Sequence, residues 1–211
     1  DVVAFSLAPD VDRLVESGQV AETWADDQHN GMVTNSVVVF AVRKGNPKGI
    51  KTWDDLVKDG VEVIEPNPFT SGGARWNVMA AYGAQKKLGK SHEQAVEYLR
   101  ELFKHVSVQD KSARESLQTF TGGKGDVLLA YENEAILAQE KGEDLEYVVP
   151  DQTILIENPV AVTKDAPDQA AAFLAYIRGE EAQRVFGEAG YRPVSEALAD
   201  EFQFPTPPGL F

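Results

Sequence analysis

Cysteine is absent from the 211 residues, which excludes disulfide frameworks, Cys-based zinc sites and thiol catalysis without fixing the redox compartment. Basic residues are scarce beside acidic ones: 20 Lys and Arg against 34 Asp and Glu leave a formal net charge of −14. That balance argues against nucleic acid or an anionic membrane surface as a partner. Long apolar runs are missing as well. The longest, such as Val37-Val38-Val39-Phe40-Ala41-Val42, have strand length and fall far short of a bilayer span, so direct membrane insertion is not expected. Histidine is rare; His29, His92 and His105 lack metal-ligand spacing and read as surface residues, and no cofactor or metal is expected. A Gly-x-Ser-x-Gly elbow, a Walker loop and a dinucleotide fingerprint are all wanting. The opening residues Asp1 to Asp10 carry neither a basic start nor a long apolar stretch, so no signal peptide is read there. They read instead as a strand running into a helix, which raises the expectation that something originally preceded them.

A hydrophobic fraction of 43% is enough to bury a core, as one large domain or two lobes of about a hundred residues each. Patterning predicts strands over residues 2–7, 35–43, 61–65, 106–108, 126–131, 145–149 and 154–163, the last interrupted by Pro159. Helices are predicted over 10–16, 53–57, 91–105, 132–139, 167–178 and 180–187, and one from Asp110-Lys111-Ser112-Ala113-Arg114 to Gly122. This alternation indicates an α/β architecture with largely parallel pairing. The prolines of Pro205-Thr206-Pro207-Pro208 exclude regular structure there.

The most informative run is Asn67-Pro68-Phe69-Thr70-Ser71-Gly72-Gly73-Ala74-Arg75-Trp76-Asn77, which joins a strand exit to a helix start through a glycine pair. Trp76, Ala80, Ala84 and Leu88 then recur every four residues, as along one helix face. Glycines let the main chain approach a bound group, and the first helical turn presents unpaired N–H donors and the positive end of its dipole. An anion grip and an ordinary capped turn both fit this segment. The Ser112-Ala113-Arg114 junction offers a second such turn.

Together the segments resemble the periplasmic sulfate- and thiosulfate-binding proteins of bacterial ABC importers. The resemblance rests on Arg43-Lys44-Gly45-Asn46-Pro47-Lys48, the Asn67–Asn77 run, Ser112-Ala113-Arg114, Gly125-Asp126-Val127-Leu128 with Glu132-Asn133-Glu134-Ala135, and Tyr191-Arg192-Pro193, in the family's order. It implies a two-lobed α/β fold of the class II periplasmic-binding-protein type. Residues 1–43 would be a first-lobe remnant and crossover strand, 44–153 a complete second lobe, and 154–211 the second crossover with C-terminal first-lobe helices. The first lobe would be incomplete, lacking a segment that carries the family's other sulfate-binding loop. By the same resemblance Ser71 supplies a hydroxyl and an N–H to sulfate, Gly72, Gly73 and Ala113 supply N–H donors, and Tyr131 stands where the family usually has a tryptophan.

Arg75 and Arg114 each follow a proposed anion loop, and a role in fixing those loops through a carboxylate such as Glu65 or Asp110 is preferred to direct contact. Glu132 and Glu134, two apart on a helix, do not face each other as an acid–base pair and read as solvated or capping residues. The expectation is a periplasmic or extracytoplasmic solute-binding protein, not an enzyme, that captures sulfate or thiosulfate and delivers it to ABC permease subunits. Two other classes stay open at this point: an effector-sensing domain of a transcription regulator, and a small hydrolase using Ser71.

Overall fold

The computed structural model describes residues 1–211, apart from the side chain of Glu196. Strand β1 (Val2–Ala4) leads to α1 (Ala8–Glu16), and after a 3-10 turn at Glu22–Ala25 the chain enters β2 (Met32–Arg43). A second 3-10 turn, Trp53–Val57, precedes β3 (Val63–Ile64), α2 (Gly72–Lys87), α3 (His92–His105) and β4 (Val106–Val108). Next come α4 (Ala113–Thr121), β5 (Val127–Tyr131), α5 (Glu132–Glu140), β6 (Leu145–Val148), β7 (Gln152–Thr153) and β8 (Leu155–Val162). The chain finishes with α6 (Asp168–Arg178), α7 (Glu180–Glu188), β9 (Arg192–Pro193), α8 (Glu196–Phe202) and β10 (Gly209–Leu210).

Two compact units are formed, Asp1–Ser36 with Ile156–Phe204 and Val37–Leu155 with Pro205–Phe211. The tail differs from the expectation that 154–211 belongs with the first lobe. Strand β10 pairs in parallel with β7, and the Phe211 N–H donates to the Thr153 carbonyl at 3.1 Å, which ties 205–211 to the second unit. In the first unit β1 runs antiparallel to β8, β8 neighbours β2, and β9 runs antiparallel to β2 at Thr34 and Asn35. Val11, Val20 and Ala161 form its core with Val3, Phe5 and Leu14. Pro159 does not interrupt β8. Its carbonyl accepts the Phe5 N–H at 3.1 Å, while the neighbouring Asn158 Nδ2 donates to Thr34 O at 3.2 Å, beside the donor that proline lacks.

In the second unit the strand order is β6-β2-β5-β3-β4, with β2 antiparallel to β5 and β6, and β3 parallel to β4 and β5. Residues Val37 to Val42 are buried on both faces: Val37, Val39 and Ala41 join Ile64, Phe120 and Leu128, while Phe40 meets Trp53 edge-on at 4.8 Å. At the end of β2 the Arg43 guanidinium donates to the carbonyls of Phe120, Lys124 and Gly125 and lies over the Phe120 ring at 3.9 Å. It thereby satisfies a carbonyl in the last turn of α4. Thr52 and Asp55 form a capping box on the second 3-10 turn. Burial pulls the Asp55 carboxyl upward, but Lys58, the Lys51 and Thr52 N–H groups and the Thr52 hydroxyl outweigh it and hold the group well below the usual carboxylate range.

The buried face of α2 includes Ala80 and Ala84 of the expected stripe but not its ends, Trp76 and Leu88. Leu88 is 47% exposed, Trp76 is half-buried, and the buried side chains are Ala74, Asn77, Ala80, Ala81, Ala84 and Gln85. Small and polar residues line the contact with neighbouring elements, so the four-residue period is right at Ala80 and Ala84 and wrong at its two large ends.

Candidate anion-binding site

Because β3, β4 and β5 are mutually parallel, their carboxyl ends share one edge of the sheet, and each is followed by a helix: α2, α4 and α5. The chain leaves β3 towards β4 and then returns to β5 on the other side of β3. Such a reversal opens a crevice beyond the strand ends, where open α/β sheets bind ligands. Ser71 caps α2, its Oγ accepting the Ala74 N–H at 3.3 Å, and Ser112 caps α4 by accepting the Glu115 N–H at 3.2 Å. Both caps take the third N–H of their helix, so those of Gly72, Gly73 and Ala113 have no intrahelical acceptor. Helix α5 starts directly from Tyr131, whose N–H is accepted by Glu134.

Position 73 shows how closely these termini converge. A Cβ there would lie 3.5 Å from Tyr131 Cε1, 3.6 Å from Ala113 Cβ and 3.6 Å from Ser71 Oγ. The two loops are also laced together: Glu65 N–H donates to Val108 O at 3.3 Å, Asn67 N–H to Asp110 O at 2.8 Å, and Thr70 Oγ1 to Lys111 O at 2.8 Å. Ser71, Gly72, Gly73, Ala113 and Tyr131 are thus brought to one place. One expected donor is already used, since the Ser71 N–H donates to Asn67 O at 2.9 Å, leaving its hydroxyl as the donor able to turn outward.

Glu65 and Asp110, the carboxylates named for the arginines, have other hydrogen-bond partners. Arg75 Nε donates to Pro68 O at 3.1 Å, which braces the loop ahead of the turn, and Arg114 is exposed near Glu134. Glu65 accepts from Asn77 Nδ2, and Asp110 from the Ser116 and Thr119 hydroxyls. Burial raises the Glu134 carboxyl above its ordinary value, against the opposing effects of the Tyr131 N–H and Arg114. Glu132 is not solvated but fully buried, and Glu134 caps its helix. The histidines bond away from Ser71: His29 to Gln28, His92 to the Tyr82 hydroxyl, and His105, partly buried, to Val61 O at 3.1 Å. None of these bonds reaches Ser71. Among the described residues no cluster of His, Asp and Glu could hold a metal ion.

Sequence reasoning missed Asn77. Its Nδ2 bridges Glu65 Oε2 and Leu129 O, both at 3.0 Å, and Asn77 is only 1% exposed. The available signal was a polar residue three positions after Ala74, in a stripe of small residues.

Fold and strand-end geometry define an α/β protein that presents helix N-termini at the carboxyl edge of a parallel sheet. The family profile described as bacterial extracellular solute-binding protein matches residues 1–192, and the chain belongs to that family. The sulfate-binding protein of Synechococcus elongatus is 44% identical over 92% of this chain and 57% of its own length. The thiosulfate-binding protein of Pseudomonas aeruginosa is 38% identical over 96% and 64%. The solved structure of the sulfate-binding protein SubI from Mycobacterium tuberculosis superposes with a TM-score of 0.95 at 42% identity, covering all of this chain and 75% of that one. The chain thus spans less than two thirds of the length of these curated relatives. The α/β fold of periplasmic solute-binding proteins expected from the resemblance is the observed one. No helix among the described residues is long and apolar enough to cross a membrane.

Proposed function

We propose that this protein captures sulfate, or the similar oxyanion thiosulfate, in the periplasm or another extracytoplasmic space and delivers it to the permease subunits of an ABC importer. The observation that carries the reading is the convergence at Gly73 of the Ser71 hydroxyl, the α4 terminus at Ala113 and the Tyr131 ring, beside main-chain N–H groups that lack an intrahelical acceptor. Helix N-termini and main-chain amides bind a divalent oxyanion at short range, while surface carboxylates are screened within about 8 to 10 Å at physiological salt. The overall charge of −14 is therefore compatible with an anion receptor. The names of relatives 38 to 44% identical support the same ligand class. In this reading Ser71, Gly72, Gly73, Ala113 and Tyr131 hold the anion, and Arg75 and Arg114 brace the loops that carry them.

Isothermal titration of the full-length protein with sulfate, thiosulfate and chloride tests it. Saturable one-to-one binding of sulfate or thiosulfate that chloride does not mimic is expected, and no heat beyond dilution with either oxyanion would refute the reading.

A further inference from the structure

Below the Ser71 turn lies a polar pair that the binding reading does not use. Glu65 follows β3 and is 2% exposed, and Asn77 sits on the second turn of α2. Asn77 Nδ2 donates to both Glu65 Oε2 and Leu129 O at 3.0 Å, so one amide group ties α2 to the end of β3 and to the β5 residue two before Tyr131. The carbonyl of Leu129 fixes the amide orientation, because turning it would set two acceptors face to face. Glu65 Oε1 and Asn77 Oδ1 are buried without a protein partner.

We propose that Glu65 and Asn77 are positioning residues for the anion site, locking the first turns of α2 to β3 and β5, and that the lock requires an un-ionised Glu65. This rests on the oxyanion-binding reading above. A buried carboxylate with a single amide N–H partner and one bare oxygen would cost several kcal/mol, so the group keeps its proton instead. Burial raises Glu65 well above the ordinary glutamate range, and the Asn77 N–H offsets only part of that. Charged groups on neighbouring elements are engaged elsewhere: Arg75 with Pro68 O, Asp110 with Ser116 and Thr119, Glu134 with the Tyr131 N–H, His105 with Val61 O and Glu101. An un-ionised acid also keeps negative charge away from a bound oxyanion. Ionisation at alkaline pH would strengthen the single Asn77 bond but leave an uncompensated charge buried beneath α2, and relieving that charge opens the packing that holds the first turns of the helix.

The test uses the full-length protein, its Asn77→Ala and Glu65→Gln variants, and sulfate as the probe. Carbon-13 carboxyl NMR should reveal one glutamate protonated at neutral pH that disappears in Glu65→Gln. Amide exchange at Ala74–Trp76, whose N–H groups are bonded to Ser71 or within the helix, should accelerate about tenfold or more in Asn77→Ala without sulfate, and sulfate affinity should fall about tenfold, the equivalent of one lost buried hydrogen bond. Wild-type affinity should decline at alkaline pH, and in Glu65→Gln that decline should vanish. Unchanged exchange in Asn77→Ala, a Glu65 ionised at neutral pH, or the same alkaline decline in Glu65→Gln would each overturn the proposal. Exchange and NMR need no ligand, so they decide the positioning role even if wild type binds no sulfate, a result that refutes the functional reading separately.

Discussion

The ring of Phe211 fills the notch at Gly83 of α2 so closely that a Cβ at residue 83 would stand 2.1 Å from its Cε2. The Phe211 backbone is pinned on both sides, its N–H donating to Thr153 O and its carbonyl accepting the Leu155 N–H at 2.8 Å. Gly83→Ala must therefore displace either the ring or the helix, and a destabilisation of about 1 to 3 kcal/mol is expected. Phe211→Ala removes the obstacle, so the double variant should be less destabilised than the sum of the singles. Urea melts of the four proteins measure the coupling, and strict additivity would show that the contact is not formed.

At Gly73 the surroundings are looser. A Cβ there meets Tyr131, Ala113 and Ser71 only at ordinary contact distance, so Gly73→Ala should fold normally. The methyl group would nonetheless point into the space that an anion needs. Sulfate affinity should drop at least tenfold in Gly73→Ala, further in Gly73→Val, and less in Arg75→Ala, whose Nε serves Pro68 O. Calorimetry on the full-length variants decides the order; an Arg75→Ala defect larger than that of Gly73→Val would place the charge, not the backbone, at the centre of binding.

Selectivity follows from donor chemistry. The converging groups offer N–H and hydroxyl donors, and none of Ser71, Gly72, Gly73, Ala113 and Tyr131 brings a carboxylate acceptor. Monohydrogen phosphate would carry an O–H that only the Ser71 or Tyr131 hydroxyl could accept, each giving up its own donation to the anion, at a cost of about 1 to 3 kcal/mol, or tenfold to a few hundredfold in affinity. Parallel titrations of sulfate and phosphate across neutral pH should show phosphate weaker by that factor and sulfate nearly constant. Phosphate binding within tenfold of sulfate would mean that a further acceptor lies in the site.

Glu65 also predicts how stability depends on pH. Its folded pKa lies above its unfolded value, so the folded chain holds a proton that the unfolded chain releases. Its contribution is therefore greatest in acid and declines as pH rises from about 4.3 towards the folded pKa, by at most about 1.4 kcal/mol per pH unit. Glu65→Gln lacks that titration. Its stability relative to wild type should rise between about pH 4 and pH 7, and a difference that stays flat in chemical denaturation over this range would contradict a buried un-ionised acid.

Local chemistry made much of this structure legible. Ser71, Ser112 and Ser91 cap their helices because a hydroxyl before a helical run finds the third N–H wherever the rest of the chain lies. The apolar run at Val37–Val42 fixed a strand but not its neighbours, since burial on both faces erases the period of two. What failed was tertiary in origin. The buried stripe of α2 is made of alanines, Asn77 and Gln85, so the four-residue period found Ala80 and Ala84 but also took in Trp76 and Leu88, which are not buried, and passed over Asn77 and Gln85. Two-residue strands such as β9 and β10 exist only through their partners, and Asn77 finds Glu65 and Leu129 across 12 and 52 residues of chain. The resemblance named the donors, whereas the engagement of the Ser71 N–H with Asn67 became visible only in three dimensions.

The parallel pairing of β3 has a kinetic consequence. Val63 pairs with Val106 and with Val127, so the strand ends meet only after chain loops of several dozen residues have closed. Such contacts are slow to form because loop-closure entropy is lost before pairing compensates it. The strand ends that carry the proposed anion donors exist only once these loops have closed, so on the proposed reading oxyanion affinity reports on the completeness of folding. An anion that binds only the assembled edge raises the apparent stability of that unit by RT ln(1 + [L]/Kd), so ligand supply and resistance to proteolysis rise together.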